Sequence, residues 1–189
     1  MASEPHLTYF EGRGFGELIR MTLCAARIKF TEHFVQSREE FLQMKADGKL
    51  LFGQLPLLEI DGLKLIQRRA ILKYLARREG LYGSNPTENA FVDMYFEGTR
   101  DFMNAFDFWV FDDVNKIREA YRTKHFPRYL PVFEKVLQES SSGYLVGEAM
   151  SLADLALLEP LMTAHECFGG RCSAGLSQIK GIPQNDDNK

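Results

Sequence analysis

The sequence predicts a small α/β layer domain followed by an all-α domain. Before residue 81, the apolar residues alternate between the period of two that is typical of strands and the period of 3.6 that is typical of helices. Beyond Pro86, the period of 3.6 continues almost throughout. The stretch from Gly80 to Pro86 between these patterns has the composition of a linker. We therefore expect one domain at residues 1–83 and a second at residues 84–189.

The element order expected in the first domain is β-α-β-α-β-β-α. Strands are predicted at residues 5–11, 29–34, 56–60 and 63–66, and helices at residues 16–27, 38–46 and 67–78. The pair Asp61-Gly62 between the last two strands is a strong hairpin signal. The first helix is expected to bury a broad apolar face formed by Leu18, Met21, Leu23, Cys24 and Ala25.

The second domain is expected to consist of three long helices, at residues 87–109, 114–138 and 151–167. Pro160 lies inside the third helix and is expected to kink or shorten it, because proline lacks a backbone N–H. Ser151 and Asp154 have the spacing of a capping box, which we interpret as structural. Glycines and polar residues dominate from Gly169 onwards, so we expect an irregular or disordered tail at residues 169–189.

Composition argues against several classes of function. The net charge of −3 over 189 residues argues against nucleic acid as the main partner. There is no apolar run long enough to span a membrane and no signal-peptide pattern at the N-terminus. The three cysteines, Cys24, Cys167 and Cys172, fit a reducing cytoplasmic setting. No histidine pairs flank Cys167 and Cys172, so we expect no metal site.

Pro56 leads into an apolar, strand-like run, although proline cannot donate a ladder hydrogen bond. Two interpretations are open here. Either the strand begins at Pro56, or the chain before Pro56 presents its backbone to a ligand. The helix that follows this region opens on Gln67 and two arginines. The unpaired N–H groups and the positive dipole end of its first turn favour an anion.

Several short motifs together resemble a cytosolic glutathione S-transferase, most closely of the alpha class. These are YFEGRG with Glu17 and Arg20, GQLPLLEIDG, LIQRRAIL, LYG, DMYFEG with Asp101, FEKVL, and YLVG with SLAD, and they span residues 5–159. The resemblance implies a thioredoxin-like N-terminal domain and a helical C-terminal domain. It also implies a detoxifying enzyme that conjugates glutathione, as co-substrate and without a cofactor, to hydrophobic electrophiles.

The resemblance assigns the catalytic role to Tyr9, whose phenol donates a hydrogen bond to the sulfur anion and so lowers the pKa of the thiol. It implies a cis bond before Pro56, which turns the Leu55 backbone towards the cysteinyl backbone of glutathione. Gln67 and the residue after it match the positions that hold the γ-glutamyl end. The remaining implied residues are Gln54, Lys45 near the glycine carboxylate, Asp101 from the partner subunit, and Arg13 and Arg20 in support.

Three features depart from the pattern of the family. Arg68 stands where the family has serine or threonine, so it either grips the carboxylate as a fork or blocks the site. Phe15 occupies the position of a loop arginine that helps the thiolate. The match stops near Pro160, short of the last helices of the family.

The loop KLLFG places Leu50, Leu51 and Phe52 where polar residues are expected, and the resemblance implies that Phe52 inserts into a partner subunit. The protein is then a homodimer or a heterodimer with a related subunit. A second hypothesis is a catalytically weak binding or regulatory subunit that pairs with a full-length transferase. Intact Tyr9 and Gln67 favour the enzyme, whereas Phe15 and Arg68 favour the second hypothesis.

Overall fold

The structure is a computed structural model that describes residues 4–104 and 113–168. The chain divides into two compact units, Met1–Leu81 and Tyr82–Lys189. The assignment of a glutathione-binding domain to residues 1–83 and of a helical domain to residues 84–189 stays a prediction.

The first unit is a four-stranded mixed sheet with three helices. Its elements are β1 (His6–Phe10), a 3₁₀ turn (Gly14–Gly16), α1 (Glu17–Ala25), β2 (Thr31–Val35), α2 (Arg38–Ala46), β3 (Leu57–Ile60), β4 (Leu63–Ile66) and α3 (Arg68–Arg78). The strand order is β2-β1-β3-β4, with β1 parallel to β2 and antiparallel to β3. A parallel pair needs a crossover, and α1 supplies it. The predicted order of elements and the thioredoxin-like fold are both confirmed.

The buried face of α1 differs from the prediction, and Met21 and Ala25 are only half-buried. Cys24 is exposed, whereas Ile19 and Thr22 are buried beside Leu18 and Leu23. Burial of Thr22 is tolerated because its hydroxyl donates to the Leu18 carbonyl at 2.7 Å. The inclusion of Cys24 in the buried face was therefore wrong, since a threonine that bonds its own helix replaces it in the core.

The hairpin predicted at Asp61-Gly62 is confirmed. Asp61 and Gly62 have φ values of 53° and 77°, as a type I′ turn requires of both central residues. The register places Ile60 opposite Leu63 and Leu57 opposite Ile66. The end of β4 is thereby fixed beside the start of β3, and α3 begins directly after it.

The second unit is helical in its described part. Its elements are α4 (Pro86–Met103), α5 (Val114–Ala120), a π-helical turn (Tyr121–His125), α6 (Phe126–Glu139) and α7 (Leu152–Phe168). The single helix predicted at residues 114–138 is thus interrupted by a π turn. The end of the helix predicted at residues 87–109 lies partly outside the described residues, and so does the tail at residues 169–189.

Pro160 does not shorten α7, which continues to Phe168. Most of this helix is buried and it packs along α4, so tertiary packing outweighs the lost backbone hydrogen bond. The capping role of Asp154 is confirmed, because its carboxylate accepts from the N–H of Ser151 and from the N–H of Leu145, both at 2.8 Å. Within the described residues, no helix combines the length and the apolar character that a membrane crossing requires.

Candidate active site

A cavity of about 450 Å³ opens in the first unit beside the end of β1, the segment before β3 and the start of α3. Its lining consists of Tyr9, Phe10, Phe15, Phe41, Gly53, Gln54, Leu55, Pro56, Gln67, Arg68 and Arg69. The structure therefore brings together Tyr9, Gln54, Leu55, Pro56, Gln67 and Arg68 from the predicted site. The volume of this cavity lies within the range of pockets that bind small molecules.

Tyr9 presents its phenol to this cavity from the end of β1 and is only 9% exposed. The phenolic oxygen accepts a hydrogen bond from the Phe15 N–H at 2.9 Å. This bond uses the oxygen as an acceptor and leaves the O–H hydrogen to donate to a ligand. It also polarises the O–H, because hydrogen bonds in a chain strengthen one another. The arrangement suits a phenol that donates to an anionic atom.

Two glycines allow the loop after β1 to pack closely against the Tyr9 ring. A Cβ atom at Gly14 would lie 2.6 Å from the Tyr9 hydroxyl oxygen, and one at Gly16 would lie 2.8 Å from Cδ1 of the same ring. Gly14 also has a φ of 38°, which disfavours other residues. The sequence did not predict this contact. The repeated glycines at positions 12, 14 and 16, shortly after the end of β1, were the available signal.

Gly14→Ala is expected to lower turnover by about tenfold to a hundredfold, because the added methyl displaces the phenol from its position. Gly48→Ala is the matched control, since Gly48 also has a positive φ, of 70°, but open space around its Cβ position. Steady-state kinetics and thermal unfolding are measured for both variants. Backbone strain affects both, whereas the steric clash of the new methyl group with Tyr9 affects Gly14→Ala alone. Equal losses of turnover in the two variants would contradict the role assigned to Gly14.

The peptide bond between Leu55 and Pro56 is cis, as the family resemblance implied. The ladder between β1 and β3 ends at the pair Thr8–Leu57, so Leu55 lies beyond the last registered pair and lines the cavity. The strand begins at Leu57 rather than at Pro56. The first interpretation of Pro56 therefore holds to within one residue. Presentation of the Leu55 backbone to a ligand stays a prediction.

Gln67 precedes α3 with an unusual backbone, at φ 77° and ψ 108°. Such left-handed conformations are uncommon outside glycine and concentrate at functional sites. Its side-chain amide donates to the Gln54 side-chain oxygen at 3.0 Å, so two predicted ligand contacts hold each other in place. The first turn of α3 carries no acidic side chain. Its N–H groups and the positive end of its dipole are therefore suited to an external carboxylate.

Arg68 places a positive charge at the cavity from the first residue of α3. Its guanidinium carbon lies 5.8 Å from the centroid of the Phe15 ring, which is within cation–π range. Phe15 in turn packs against the apolar cluster that contains Tyr9 and Leu55. The two residues that depart from the family pattern therefore contact each other, which the sequence did not indicate.

Lys45 and Asp101 do not line the cavity. Lys45 lies on α2, with its ammonium nitrogen 5.5 Å from the centroid of the Phe41 ring and its side chain against the backbone of Gly53. Both contacts are with lining residues, so Lys45 lies beside the cavity. Asp101 is exposed on α4 in the second unit. Its assigned role depends on a partner subunit and stays a prediction.

Arg20 ties together the elements that carry the loop after β1. It donates to Glu32 at 2.7 Å, to the Gly12 carbonyl at 2.9 Å and to Glu17 at 3.0 Å. Burial acts to lower the pKa of Arg20, but the hydrogen bonds to Glu32 and Glu17 outweigh it and raise the pKa. The guanidinium therefore stays charged and supports this loop. Arg13 supports the same loop through its carbonyl, which accepts from the N–H groups of Gly16 and Glu17, each at 3.0 Å.

The loop at residues 50–52 separates into a buried and an exposed part. Leu50 is 4% exposed, whereas Leu51 is 79% exposed and Phe52 is 62% exposed. Phe52 therefore does not fold onto the core of its own unit. Its insertion into a partner stays a prediction that this exposure permits.

Among the described residues, no three histidine, cysteine or carboxylate side chains lie close enough together to hold a metal ion. Cys167 lies near the end of α7, and Cys172 lies outside the described residues.

The thioredoxin-like unit followed by a helical unit defines the class of the protein, and comparison with known families defines it further. Residues 5–77 match the model of the glutathione S-transferase N-terminal domain, and residues 100–181 match that of the C-terminal domain. The expectation that the match stops near Pro160 is wrong, because the helical pattern continues through α7 and the match continues beyond it.

Relatives match over most of the chain. Mouse glutathione S-transferase A4 is 45% identical over 171 residues, which are 88% of this chain and 76% of the relative. Human glutathione S-transferase A4 is 40% identical over 169 residues, with the same two coverages of 88% and 76%. The chain belongs to the glutathione S-transferase family.

Solved structures agree with this assignment. A glutathione S-transferase from Ascaris lumbricoides is 36% identical with a TM-score of 0.78, covering 94% of this chain and 88% of that one. A hookworm glutathione S-transferase from Necator americanus, described as monomeric, is 32% identical with a TM-score of 0.77 and the same coverages of 94% and 88%. The relatives are transferases, so the enzyme hypothesis is supported and the regulatory subunit is not favoured.

Proposed function

We propose that this protein conjugates the thiolate of glutathione to a hydrophobic electrophile in the cavity of its first unit, with Tyr9 as the catalytic residue. The observation that carries the proposal is the Tyr9 phenol, which lines the cavity and is held by the Phe15 N–H at 2.9 Å. In the reaction, the thiol proton leaves to solvent, and a sulfur lone pair forms the new bond to the electrophilic carbon. The carbon releases its leaving group with the bonding electron pair, as halide from an aryl halide, or gives up a π bond whose electrons then take a proton from solvent. Family membership supports the same chemistry.

The contribution of Tyr9 is a shift in the protonation of sulfur. A free thiol has a pKa of about 8.5, so only about 3% is thiolate at pH 7. A hydrogen bond from the phenol that lowers this pKa by about two units makes roughly three quarters of the bound thiol reactive, which corresponds to about 2.7 kcal/mol. A phenol is suited to this task as a hydrogen-bond donor rather than as a base.

The tripeptide is held along the cavity by the remaining predicted residues. The Leu55 backbone before Pro56 pairs with the cysteinyl backbone, as an added strand would. The start of α3, with Gln67 and Arg68, receives the γ-glutamyl carboxylate. Gln54 orients Gln67 through the bond of 3.0 Å between their side chains. Lys45 meets the glycine carboxylate, and Asp101 of a partner copy meets the γ-glutamyl amine.

Retention on immobilised glutathione, followed by a conjugation assay with a generic aryl halide, tests the proposal. We expect the protein to be retained, to be eluted by free glutathione and to form the thioether. Retention without thioether formation would support the regulatory subunit instead. Failure in both assays would contradict the proposed function.

The assembly and location that accompany this function are also proposals. We propose a dimer in the cytoplasm, formed by two copies of this chain or by this chain and a related subunit. The exposed Phe52 supports the dimer, and the low cysteine content supports a reducing compartment. Neither nucleic acid nor a membrane is a proposed partner, and no cofactor is required.

Replacing Arg68 by threonine is expected to weaken glutathione binding by up to about tenfold, because a charged donor is lost while the new hydroxyl partly compensates. The wild type is also expected to lose affinity more steeply with salt than the variant, since salt screens a charge pair that solvent can reach. Calorimetric titration at two salt concentrations measures both effects.

Arg69→Thr is the matched control, because it removes the same charge from the next residue of α3, which also lines the cavity. We expect a smaller loss of affinity from this control than from Arg68→Thr. The alternative is that Arg68 obstructs the ligand. In that case Arg68→Thr would bind glutathione at least about tenfold more tightly, with unchanged salt dependence, and the assigned contact would be wrong.

A further inference from the structure

We propose that Phe15 is a positioning residue that links the two ends of the glutathione site, an inference that rests on the proposed function. Its backbone N–H holds the Tyr9 hydroxyl at 2.9 Å, and its ring lies 5.8 Å below the Arg68 guanidinium carbon. One residue therefore contacts both the phenol assigned to the thiol and the cation assigned to the carboxylate.

The backbone contact places Phe15 at the thiol end. The 3₁₀ turn that contains Phe15 begins at Gly14 and ends at Gly16, and both glycines pack against the Tyr9 ring. The Phe15 N–H is thereby fixed by the main chain of the turn rather than by its own side chain. Substitutions of the Phe15 side chain are expected to leave the bond to Tyr9 in place.

The contact between the Phe15 ring and Arg68 acts at the carboxylate end of the site. Arginine has a long side chain that loses considerable rotamer freedom when it is held in one position. A guanidinium over an aromatic face is held by the ring quadrupole, most strongly where water is partly excluded. Arg68 and Phe15 are both half-buried, and the Nε atom of Arg68 is buried. The ring therefore restricts Arg68 before the ligand arrives, which lowers the entropy that binding must remove.

Phe15 also packs against the apolar cluster of Tyr9, Leu55 and their neighbours, so the test has to separate packing from positioning. Phe15→Leu keeps an apolar side chain but removes the aromatic face, whereas Phe15→Tyr keeps that face. Arg68→Met keeps the length of the side chain and removes the charge. Phe41→Leu is the control, because Phe41 lines the same cavity and packs on the same cluster but has Lys45 rather than Arg68 over its ring.

We expect Phe15→Leu to weaken glutathione binding by about threefold to tenfold in the wild-type background and by less than about twofold in the Arg68→Met background. Phe15→Tyr is expected to stay within about twofold of the wild type. Phe41→Leu is expected to have the same effect in both backgrounds. In kinetics, Phe15→Leu raises KM for glutathione and leaves kcat at saturating glutathione nearly unchanged, since the bond to Tyr9 remains.

Calorimetric titration of the single and double variants measures the coupling, and thermal unfolding checks that each variant is folded. If Phe15→Leu does not fold, Phe15→Met takes its place in the same cycle. Equal effects of Phe15→Leu in the two backgrounds, in a protein that binds glutathione, would overturn the positioning role alone. A wild type that binds no glutathione would contradict the proposed function and this inference together.

Discussion

Replacing Tyr9 by phenylalanine is expected to lower turnover by about tenfold to a thousandfold and to change glutathione affinity very little. The phenol donates to the sulfur in its anionic form, so its loss affects the reactive state far more than the binding of the tripeptide. Phenylalanine retains the ring against which Gly14 and Gly16 pack. The substitution therefore preserves the local packing and removes the donor to the sulfur together with the acceptor of the Phe15 N–H.

The titration of the bound thiol, followed by ultraviolet absorbance, is the direct measurement. In Tyr9→Phe we expect the pKa of the thiol to return towards about 8.5, and the deficit in rate to narrow as the pH rises through that value. The rate deficit of the variant is largest at low pH, because the wild type keeps its thiolate at a lower pH than the variant does.

Tyr74→Phe serves as the control for loss of a phenol. Tyr74 lies on α3, and its hydroxyl donates to the Asp61 carboxylate at 2.7 Å, whereas the residue is not part of the cavity lining. Its removal is expected to leave the thiol titration unchanged. An unchanged titration in Tyr9→Phe as well would show that the assigned role is wrong.

The fold of the first unit was predictable because its signals are local. Asp61-Gly62 satisfies the backbone requirements of a type I′ turn, and it separates two strands whose bounds the sequence placed within one residue. Burial in α1 was harder to predict. Burial of Thr22 is tolerated because its hydroxyl donates to the Leu18 carbonyl, and residue type alone does not reveal such a bond.

The π turn at Tyr121–His125 escaped prediction for a related reason. A π turn adds one residue to a helical turn without a distinctive composition, so a pattern of period 3.6 passes through it. The left-handed backbone of Gln67 also lacks a sequence signal, because neither glycine nor asparagine occupies that position.

The candidate site was predictable as a set of residues and not as a set of contacts. Resemblance to a family identified Tyr9, Gln54 and Gln67 from their motifs, and the structure brings them to one cavity. The contact between Phe15 and Arg68 joins two residues that each depart from the family pattern. A motif match scores each position separately, and the structure was needed to show that the two positions form a pair.

Replacing Phe52 by alanine is expected to weaken association of two copies by about 3–5 kcal/mol, if the ring fills a pocket in the partner. That cost corresponds to roughly a hundredfold to several thousandfold in the dissociation constant. The ring is 62% exposed in the single chain, so the same substitution is expected to change the free energy of unfolding of the isolated chain by no more than about 0.5 kcal/mol. The variant is therefore expected to change the dissociation constant of the dimer strongly and the free energy of unfolding of the chain very little.

Leu51→Ala distinguishes a specific insertion from a general apolar contact. Leu51 is the neighbouring residue and is even more exposed, at 79%, so non-specific association would weaken at least as much in this variant as in Phe52→Ala. Insertion of Phe52 alone predicts that Leu51→Ala still sediments as a dimer at micromolar concentration, whereas Phe52→Ala sediments as a monomer. A monomeric wild type is a concrete opposing outcome, because the related hookworm enzyme from Necator americanus is described as monomeric. That outcome would remove the partner on which the role of Asp101 depends, and the cavity of the first unit would then have to hold glutathione with residues of its own chain.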